Sequence, residues 1–413
     1  MSATTRTPAL RRAMFGVFLT FALNGIAAAT WFSRLPALKE ILGLSVSEIG
    51  IVIFGLAAGS ILGLLSAAQV VHRLGARRTI VVSLLVLGAG LAVLALATTL
   101  LPFFALAIGG GVVYGIGTSV CDVAMNVEGT EVEREMGRNL MPWFHASWSL
   151  GSVAGAGVGA LLAGLHVAPG PHFFGVVALL VVAALLIPRL LPRALDEHAA
   201  AVDEQTGAAQ KSGFRAQLAA WREPRTMLIG LLVLGMAFTE GSANDWLALA
   251  MVEDRAYTDS DAALMFTIFS VAMTVARIAG VPLLDRFGRV PVLRGSIAAA
   301  AVGLAVVILV PSPPVMIAGI VLWGFGAALG FPVGMSAAGD DPAGAAARVS
   351  AVATVAYCAF LIGPPVLGFV GEQVGILNAM WIVFALIVLA GFAAPAAREP
   401  QKAAEAEVPA DAE

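Results

Sequence analysis

Long apolar segments recur along the whole of this 413-residue chain, and they constrain its fold more than any other feature. A helix rises 1.5 Å per residue, so about 20 apolar residues are needed to cross the roughly 30 Å of hydrocarbon in a bilayer. Only 12% of the residues are charged, against about 25% in an average soluble domain, so the chain lacks the polar residues for a fully wetted surface. Twelve segments are predicted to span a membrane: 13–33, 46–71, 79–98, 102–127, 140–165, 172–191, 226–250, 260–283, 290–310, 314–338, 346–369 and 376–395.

The period of the pattern favours helices over the strands of a membrane β-barrel. Barrel strands alternate lipid-facing and lumen-facing residues over about ten positions, whereas 80–97 is an almost unbroken apolar run. Interior residues such as Gly363 and Pro364 are tolerated in a spanning helix where neighbouring helices satisfy the freed backbone groups. The sequence therefore predicts an all-α integral membrane protein with twelve transmembrane helices.

A short basic loop occurs twice, each time between two apolar segments. The first copy, HRLGARR, is answered in the second half of the chain by DRFGR, which places Arg73 and Gly75 on Arg286 and Gly288. Further along, YGIG in the first half is answered by WGFG in the second. Such an internal repeat is typical of transporters built from two related halves.

The repeat predicts two pseudo-symmetric six-helix bundles. A polar stretch with both acidic and basic residues separates them and is expected to be a linker. The Ala/Glu-rich end of the chain is expected to be a disordered tail. The predicted units are an N-terminal bundle over 1–191, a linker over 192–224, a C-terminal bundle over 225–396 and a tail over 397–413.

The distribution of basic residues predicts the orientation in the membrane. With the amino terminus in the cytoplasm, only Arg34, Lys39 and Arg255 of the 24 Lys and Arg lie in outer loops. The positive-inside rule therefore predicts that both termini and the linker are cytoplasmic. The basic residues are spread over many loops, which does not indicate a nucleic-acid surface. We expect a monomeric multi-pass protein of a bacterial-type plasma (inner) membrane, surrounded by the lipid bilayer.

No catalytic or metal-binding pattern occurs in the sequence. Its two cysteines, Cys121 and Cys358, both fall in predicted spans and form no disulfide framework or metal spacing. A P-loop, a G-x-S-x-G elbow, an H-E-x-x-H helix and a dinucleotide fingerprint in its strand–helix context are all missing. We therefore expect no cofactor, no metal and no enzymatic activity, and any solute movement would use a gradient rather than ATP.

Three ionisable residues within the predicted spans point to a polar interior. Each charge at a span centre costs about 2.5–3.5 kcal/mol, so Asp122, Glu240 and Arg277 are expected to face the protein interior or a water-filled cavity. Glu240, near the middle of the seventh span, can take up and release a proton as such a cavity changes sides; the alternative is a structural hydrogen bond between helices. Arg277 can bind an anionic substrate or neutralise an acidic neighbour, and neutralisation is favoured because buried charges usually pair.

Asp122 in the fourth span and His145 in the fifth are expected to lie at comparable depth. An antiparallel hairpin would bring them together, and a carboxylate beside an imidazole can act as a proton relay. A polar contact that only closes the two helices is the alternative.

Amide, aromatic and acidic side chains within the spans are the expected lining of a central cavity. Such groups suit a sugar or another polar organic molecule. Trp31 and Trp246 lie near span ends, where aromatic residues are more often anchors at the membrane interface. The expected lining residues are Asn24, Tyr114, Asn126, Asn244, Asp245, Trp323 and Tyr357.

The repeated basic loop resembles the signature of the major facilitator superfamily, which is Gly followed by Asp-Arg-x-Gly-Arg between helices 2 and 3, often echoed between helices 8 and 9. The second copy is intact, whereas the first has His72 in the Asp position and Ala76 in an Arg position. The resemblance implies that these loops act as a conformational latch, in which a helix-end Asp engages arginines and a helix N-terminus. A purely topological role for the arginines is the alternative. The implied gating residues are Arg73, Gly75, Arg77, Asp285, Arg286, Gly288 and Arg289.

Three further motifs resemble the fucose-permease-like branch of that superfamily: CDVAMN in the fourth span, EGSANDW in the seventh and FHA at the start of the fifth. Where the characterised sugar member of that branch has an acidic residue in helix 1, this chain has Gly25 beside Asn24. The resemblance implies a secondary transporter that carries a small sugar-like or polar solute by alternating access. The ionisable residues within the spans predict symport with protons, with Glu240 coupling and Asp122 and His145 assisting. Proton-coupled efflux of a drug or metabolite, and a membrane sensor without net flux, are the alternatives.

Overall fold

The computed structural model describes residues 3–100, 103–137, 140–191, 220–340 and 344–399. Over these ranges the chain is helical, and twelve of its helices are long and apolar enough to cross a membrane. The prediction of an all-α membrane protein with twelve spanning helices is therefore confirmed. Of the predicted linker, 192–219 lie outside the described residues, as do 400–413 of the predicted tail.

We number the spanning helices α1 to α12. The N-terminal half consists of α1 (Ala3–Ser33), α2 (Val46–Leu74), α3 (Ala76–Thr99), α4 (Phe104–Met136), α5 (Met141–Gly164) and α6 (Pro169–Leu190), with a short connecting helix, Leu35–Leu42, between α1 and α2. The C-terminal half consists of α7 (Pro224–Ser242, continued by the π-helical Ala243–Leu247 and by Ala248–Arg255), α8 (Asp259–Phe287), α9 (Arg289–Leu309), α10 (Pro313–Ala327 and Gly330–Ala338), α11 (Ala345–Val374) and α12 (Ile376–Ala379, Trp381–Ala393 and the 3₁₀ turn Ala394–Ala397).

Local sequence accounts for where several of these helices begin. Ser45 forms a capping box at the start of α2: its Oγ accepts from the Glu48 backbone N–H at 3.2 Å, and its own N–H donates to Glu48 Oε2 at 2.8 Å. Thr258 caps α8 by accepting from the backbone N–H of Asp261 at 3.1 Å. These caps satisfy N–H groups that a helix start otherwise leaves without partners.

The two copies of the basic loop adopt the same backbone conformation. Gly75 joins α2 to α3 with φ 77° and ψ 155°, and Gly288 joins α8 to α9 with φ 75° and ψ 169°. A positive φ of this kind favours glycine, which has no Cβ to clash with the backbone. The repeat found in the sequence is therefore also a repeat of backbone geometry.

Small residues allow helices of the same half to approach closely. A Cβ added to Gly151 of α5 would clash with the carbonyl oxygen of Ala22 in α1, and one added to Gly25 of α1 would clash with that of Trp148 in α5. Close backbone approach through small residues is a common means of packing helices in membranes, where lipid removes most of the hydrophobic driving force. This reciprocal contact fixes α5 against α1.

Two helix pairs, α2 with α11 and α5 with α8, pack across the junction between the halves. We call the side at which α2 meets α3 and α8 meets α9 the basic-loop face, and the opposite side the distal face. Polar contacts between the halves lie at the distal face: Lys39 Nζ is 2.8 Å from Glu253 Oε1, and the Ser47 backbone N–H donates to Glu372 Oε2 at 3.1 Å. These contacts close the cleft between the halves at the distal face.

Candidate functional site

Glu240 of α7 and Arg277 of α8 form an ion pair inside the C-terminal half. Arg277 Nη2 is 2.9 Å from Glu240 Oε1 and 3.0 Å from Oε2, and Arg277 Nε donates to the carbonyl oxygen of Ala328 at 3.4 Å. The Glu240 and Arg277 side chains are 15% and 29% exposed, so the pair is partly accessible rather than sealed in the packed core. Arg277 thus neutralises an acidic neighbour, as expected from the cost of an isolated charge in the membrane.

His145 continues this set of polar groups into the other half of the molecule. Its exposed ring lies one turn into α5 and meets Phe21 of α1 edge to face, with 5.2 Å between ring centroids. The positive charge of Arg277 lies within electrostatic range of the imidazole. We call Glu240, Arg277 and His145 the charge chain, because the ion pair between α7 and α8 lies within electrostatic range of His145 on α5, across the junction.

Asp122 and His145 do not lie at the same depth, so the prediction of a proton relay between them is wrong. Helix α4 continues to Met136, which puts Asp122 about four turns from its end, whereas His145 lies about one turn from the start of α5. The Asp122 carboxylate instead accepts from Asn126 Nδ2 at 3.4 Å and lies within electrostatic range of Tyr357 on α11. The two residues thus differ in depth, and their interactions within the described part of the chain are with other groups.

Asp245 lies in a π-helical segment, Ala243–Leu247, that interrupts α7. A π segment inserts an extra residue into a turn, which changes the direction of the side chains that follow, and such segments are frequent at functional sites. No hydrogen bond or ion pair within the described residues reaches the Asp245 carboxylate. Sequence motifs indicated Asp245 as a cavity residue, but they carried no signal for this change in the helix.

A cavity of about 220 Å³ lies between the halves beside Asp245. One wall comes from α1 and α2 of the N-terminal half, and the other from α7 and α11 of the C-terminal half. Most of the lining is apolar, with aromatic rings on both sides of the junction. The lining residues are Phe32, Ile53, Leu56, Ala57, Ser60, Ile61, Gly241, Asn244, Asp245, Tyr357 and Phe360.

Several residues predicted to line a cavity are packed inside one half instead. Trp323 is fully buried and donates from Nε1 to the carbonyl oxygen of Thr239 at 3.2 Å. Tyr114 is buried and stacks on the indole of Trp31 at 6.0 Å between centroids. These rings fill space between helices of one bundle, and residue type alone does not separate that role from cavity lining.

Two amide side chains predicted to line a cavity are not among the residues that line this one. The Asn24 carboxamide is buried and accepts from Thr118 Oγ1 at 2.8 Å, so it joins α1 to α4 rather than lining the cavity. Asn126 donates to the backbone carbonyl of Asp122 at 2.8 Å, one turn earlier in α4. Trp246, considered as a possible interface anchor, is fully buried in the core of the C-terminal half.

The basic loops make their identified contacts within their own halves. Arg289 Nη1 donates to both carboxylate oxygens of Asp340 at 2.7 and 2.9 Å, at the end of α10, and Arg225 Nη2 donates to the same carboxylate at 2.9 Å. In the first loop, Arg77 Nη2 donates to the carbonyl oxygen of Pro188 at 2.8 Å. Arginine therefore anchors each loop to the rest of its own half.

The remaining loop residues lie at the surface. Arg73 and Asp285 are exposed, and the Arg286 guanidinium lies over the ring of Phe287 at 5.2 Å. Within the described residues, Asp285 makes no hydrogen bond or ion pair. The latch contact implied for this aspartate is therefore not formed with the cleft closed at the distal face.

Comparisons with known proteins agree with this architecture. The family model described as Major Facilitator Superfamily matches residues 14–250 and 240–412. An uncharacterized transporter of Sinorhizobium fredii (strain NBRC 101917 / NGR234) is 32% identical over 391 residues, which cover 93% of this chain and 98% of that protein.

Solved structures of transporters share the fold. A mutant of the nucleoside transporter NupG aligns with a TM-score of 0.74 at 16% identity, over 94% of this chain and 99% of that one. A D-xylose-proton symporter aligns with a TM-score of 0.71 at 15% identity, over 94% and 98% of the two chains. The structure of FucP in the outward conformation aligns with a TM-score of 0.64 at 17% identity, over 94% and 99%.

Proposed function

The chain belongs to the major facilitator superfamily, and from that membership we propose that it carries a small polar organic solute across the membrane in symport with protons. It is a multi-pass membrane transporter rather than an enzyme. The proposal concerns its coupling, its direction and the residues that perform each step. The observation that carries it is the charge chain in a molecule whose cleft is closed at one face.

Protonation of Glu240 would change the electrostatics at the junction between the halves. In the closed-distal state Arg277 binds both oxygens of the carboxylate, which neutralises two charges that would otherwise be costly at membrane depth. A proton on Glu240 removes its charge and leaves the positive charge of Arg277 without a partner. Because that charge lies within range of His145 in the other half, the proton alters an electrostatic interaction between the halves.

The contacts that close the distal face are weak enough to be reversed in each cycle. The ion pair between Lys39 and Glu253 keeps 17% and 32% side-chain exposure, and exposed pairs contribute about 0–1 kcal/mol. Alternating access requires the halves to rock around a central site, so such contacts must open and close repeatedly. We place the substrate in the cavity between the halves, next to Asp245.

The orientation of the protein in the membrane and the identity of its coupling ion follow from separate observations. Basic residues at the basic-loop face support cytoplasmic termini in a bacterial inner membrane, by the positive-inside rule. In that orientation the described state is closed to the outside. The structural neighbour named as a D-xylose-proton symporter supports the proton as the coupling ion. We propose that a single chain performs the cycle, because the cavity is built from the two halves of one polypeptide.

One feature supports a different function, proton-coupled efflux. A largely apolar cavity with one carboxylate suits hydrophobic cations, and an antiporter can bind a proton and such a cation in turn at the same carboxylate. In symport the proton and the solute occupy the protein together, so they need separate sites. The location of Glu240 outside the residues that line the cavity favours symport.

The direction of proton movement tests the proposal. Sugars, sugar acids and small amines would be added one at a time to a lightly buffered suspension of cells that overproduce the protein, with the external pH recorded. We expect a solute to raise the external pH in cells with the wild-type chain and not in cells with Glu240→Gln. Glu135→Gln, an exposed glutamate at the end of α4, is the matched control and should behave as wild type. Acidification of the medium, or solute uptake without any pH change, would reject symport.

A further inference from the structure

A single acidic side chain on the cavity wall indicates the chemistry of the ligand. Of the residues that line the cavity, Asp245 alone is ionisable as an acid or base at neutral pH, and the other polar groups are Ser60, Asn244 and the Tyr357 hydroxyl. No Arg, Lys or His contributes to the lining. The empty cavity therefore offers a single acidic group to its contents.

Unlike the carboxylates of Glu240 and Asp340, the Asp245 carboxylate has no partner among the described residues. Glu240 is paired with Arg277, and Asp340 is held by Arg289 and Arg225. In contrast, the described residues supply no cation and no hydrogen-bond donor to Asp245. Enclosing a lone carboxylate is costly unless something neutralises it. The carboxylate is therefore neutralised either by a proton or by a cation that the described residues do not supply.

Aromatic rings around the carboxylate favour an organic cation as that group. Phe32 comes from α1 and Phe360 and Tyr357 come from α11, so rings from both halves face the same cavity. The face of an aromatic ring attracts a cation by about 0.5–2 kcal/mol, most strongly where water is excluded. A carboxylate combined with such rings binds a protonated amine through both charge and ring contacts.

The size of the cavity restricts the ligand further. Pockets for drug-sized ligands begin at roughly 300 Å³, and this cavity encloses about 220 Å³. The ligand is therefore smaller than a typical drug. Its few polar neighbours, Ser60 and Asn244, can bind one or two hydroxyl groups in addition to the amine.

We propose that Asp245 is the binding site for the protonated amine of the transported solute, a small amine or amino sugar enclosed by Phe32, Tyr357 and Phe360. The assignment rests on the proposed transport function and specifies its substrate class. It separates two tasks, since the amine binds Asp245 in the cavity and the coupling proton binds Glu240 in the charge chain. Since both sites can be occupied together, amine and proton can cross in the same direction.

Matched pairs of ligands test the assignment on the purified full-length protein in detergent. Cyclohexylamine and cyclohexanol form one pair, D-glucosamine and D-glucose the other, and binding is read from thermal unfolding at neutral pH. We expect at least one amine to raise the unfolding temperature, with an apparent affinity at least tenfold above that of its uncharged counterpart. Asp245→Asn should abolish this preference, whereas Asp245→Glu, which keeps the charge, should retain it.

Controls separate this assignment from the proposed coupling. Glu135→Gln should keep the preference for amines, because this exposed glutamate lies outside both the cavity and the charge chain. Equal binding of amine and uncharged counterpart, no binding of any probe amine, or a preference that survives Asp245→Asn would overturn the assignment. The last result would show that the amine binds elsewhere in the protein. A preference for amines together with transport that moves no protons would reject only the proposed coupling.

Discussion

Arg277 donates through a single nitrogen, Nη2, to both carboxylate oxygens of Glu240, at 2.9 and 3.0 Å. This geometry leaves Nη1 of the guanidinium outside the ion pair, in a residue whose side chain is 29% exposed. The pair therefore combines a neutralised carboxylate with an arginine whose charge can still act on the opposite half.

The first prediction concerns this pair. Arg277→Gln and Glu240→Gln each leave one charge without its partner, so each should reduce the free energy of unfolding by about 2 kcal/mol, between the values for exposed and buried pairs. The double variant removes both charges and should be more stable than either single variant. Thermal unfolding of all four proteins in detergent provides the double-mutant cycle. Additive losses would show that the pair contributes no coupling energy.

The second prediction concerns the distal face. Lys39→Glu places a second negative charge beside Glu253, so it should shift the molecule toward the state that is open at the distal face. Adding Glu253→Lys restores an opposite charge and should restore closure. Spin labels at Ile41 and Ala256, in a chain with Cys121 and Cys358 replaced, would report the distance across this face. The fraction of molecules with the longer distance between the two labels should rise up to about fivefold in Lys39→Glu, because an exposed ion pair contributes about 1 kcal/mol at most. A distance distribution that does not change on charge reversal would exclude the pair from closure.

The third prediction compares two glycines of α5. A Cβ on Gly151 would clash with the Ala22 carbonyl oxygen, whereas one on Gly157 meets nothing within 4 Å. Gly151→Ala should therefore destabilise the protein by about 1–3 kcal/mol through forced separation of α1 and α5. Gly157→Ala, the same change on the same helix, should be neutral or slightly stabilising. Similar unfolding temperatures for the two variants would contradict the close packing described for Gly151.

The fourth prediction concerns the turn between α8 and α9. Gly288 has φ 75° and ψ 169°, a conformation that is essentially restricted to glycine and costs a residue with a Cβ about 1–3 kcal/mol. Gly288→Ala should lower the unfolding temperature, whereas Gly295→Ala in the following helix α9, where a Cβ has open space, should not. Equal stability of the two variants would show that the left-handed turn is not required.

Spanning helices could be predicted from the sequence because their signal is long and redundant. An apolar run such as 80–97 has only one stable arrangement in lipid, a helix whose backbone groups bond internally. Helix ends were less predictable, since charged residues can extend a helix beyond the hydrocarbon. Helix α4 continues past Glu131 and Arg134 to Met136, and this extension accounts for the misplaced pairing of Asp122 with His145.

Side-chain roles in the site depended on packing that no local pattern encodes. Arg277 was expected to neutralise an acid from the cost of its charge alone, and the structure places it on Glu240. Aromatic residues gave no comparable constraint, because Trp323 in a packed core and Phe360 on a cavity wall satisfy the same apolar pattern. The π segment at Asp245 depends on how α7 fits its neighbours, and the sequence holds no marker for it.

Accumulation of solute against its own gradient in liposomes tests whether transport is coupled to protons through Glu240. Purified wild type and Glu240→Gln would be compared in two assays with the solute found by the pH screen: exchange of labelled for unlabelled solute without a pH gradient, and concentrative uptake driven by an inward proton gradient. We expect wild type to exchange solute and to concentrate it, and Glu240→Gln to exchange solute without concentrating it. Concentrative uptake by Glu240→Gln at the wild-type level would contradict proton coupling through Glu240. The pair with Arg277 would then be a structural contact between α7 and α8.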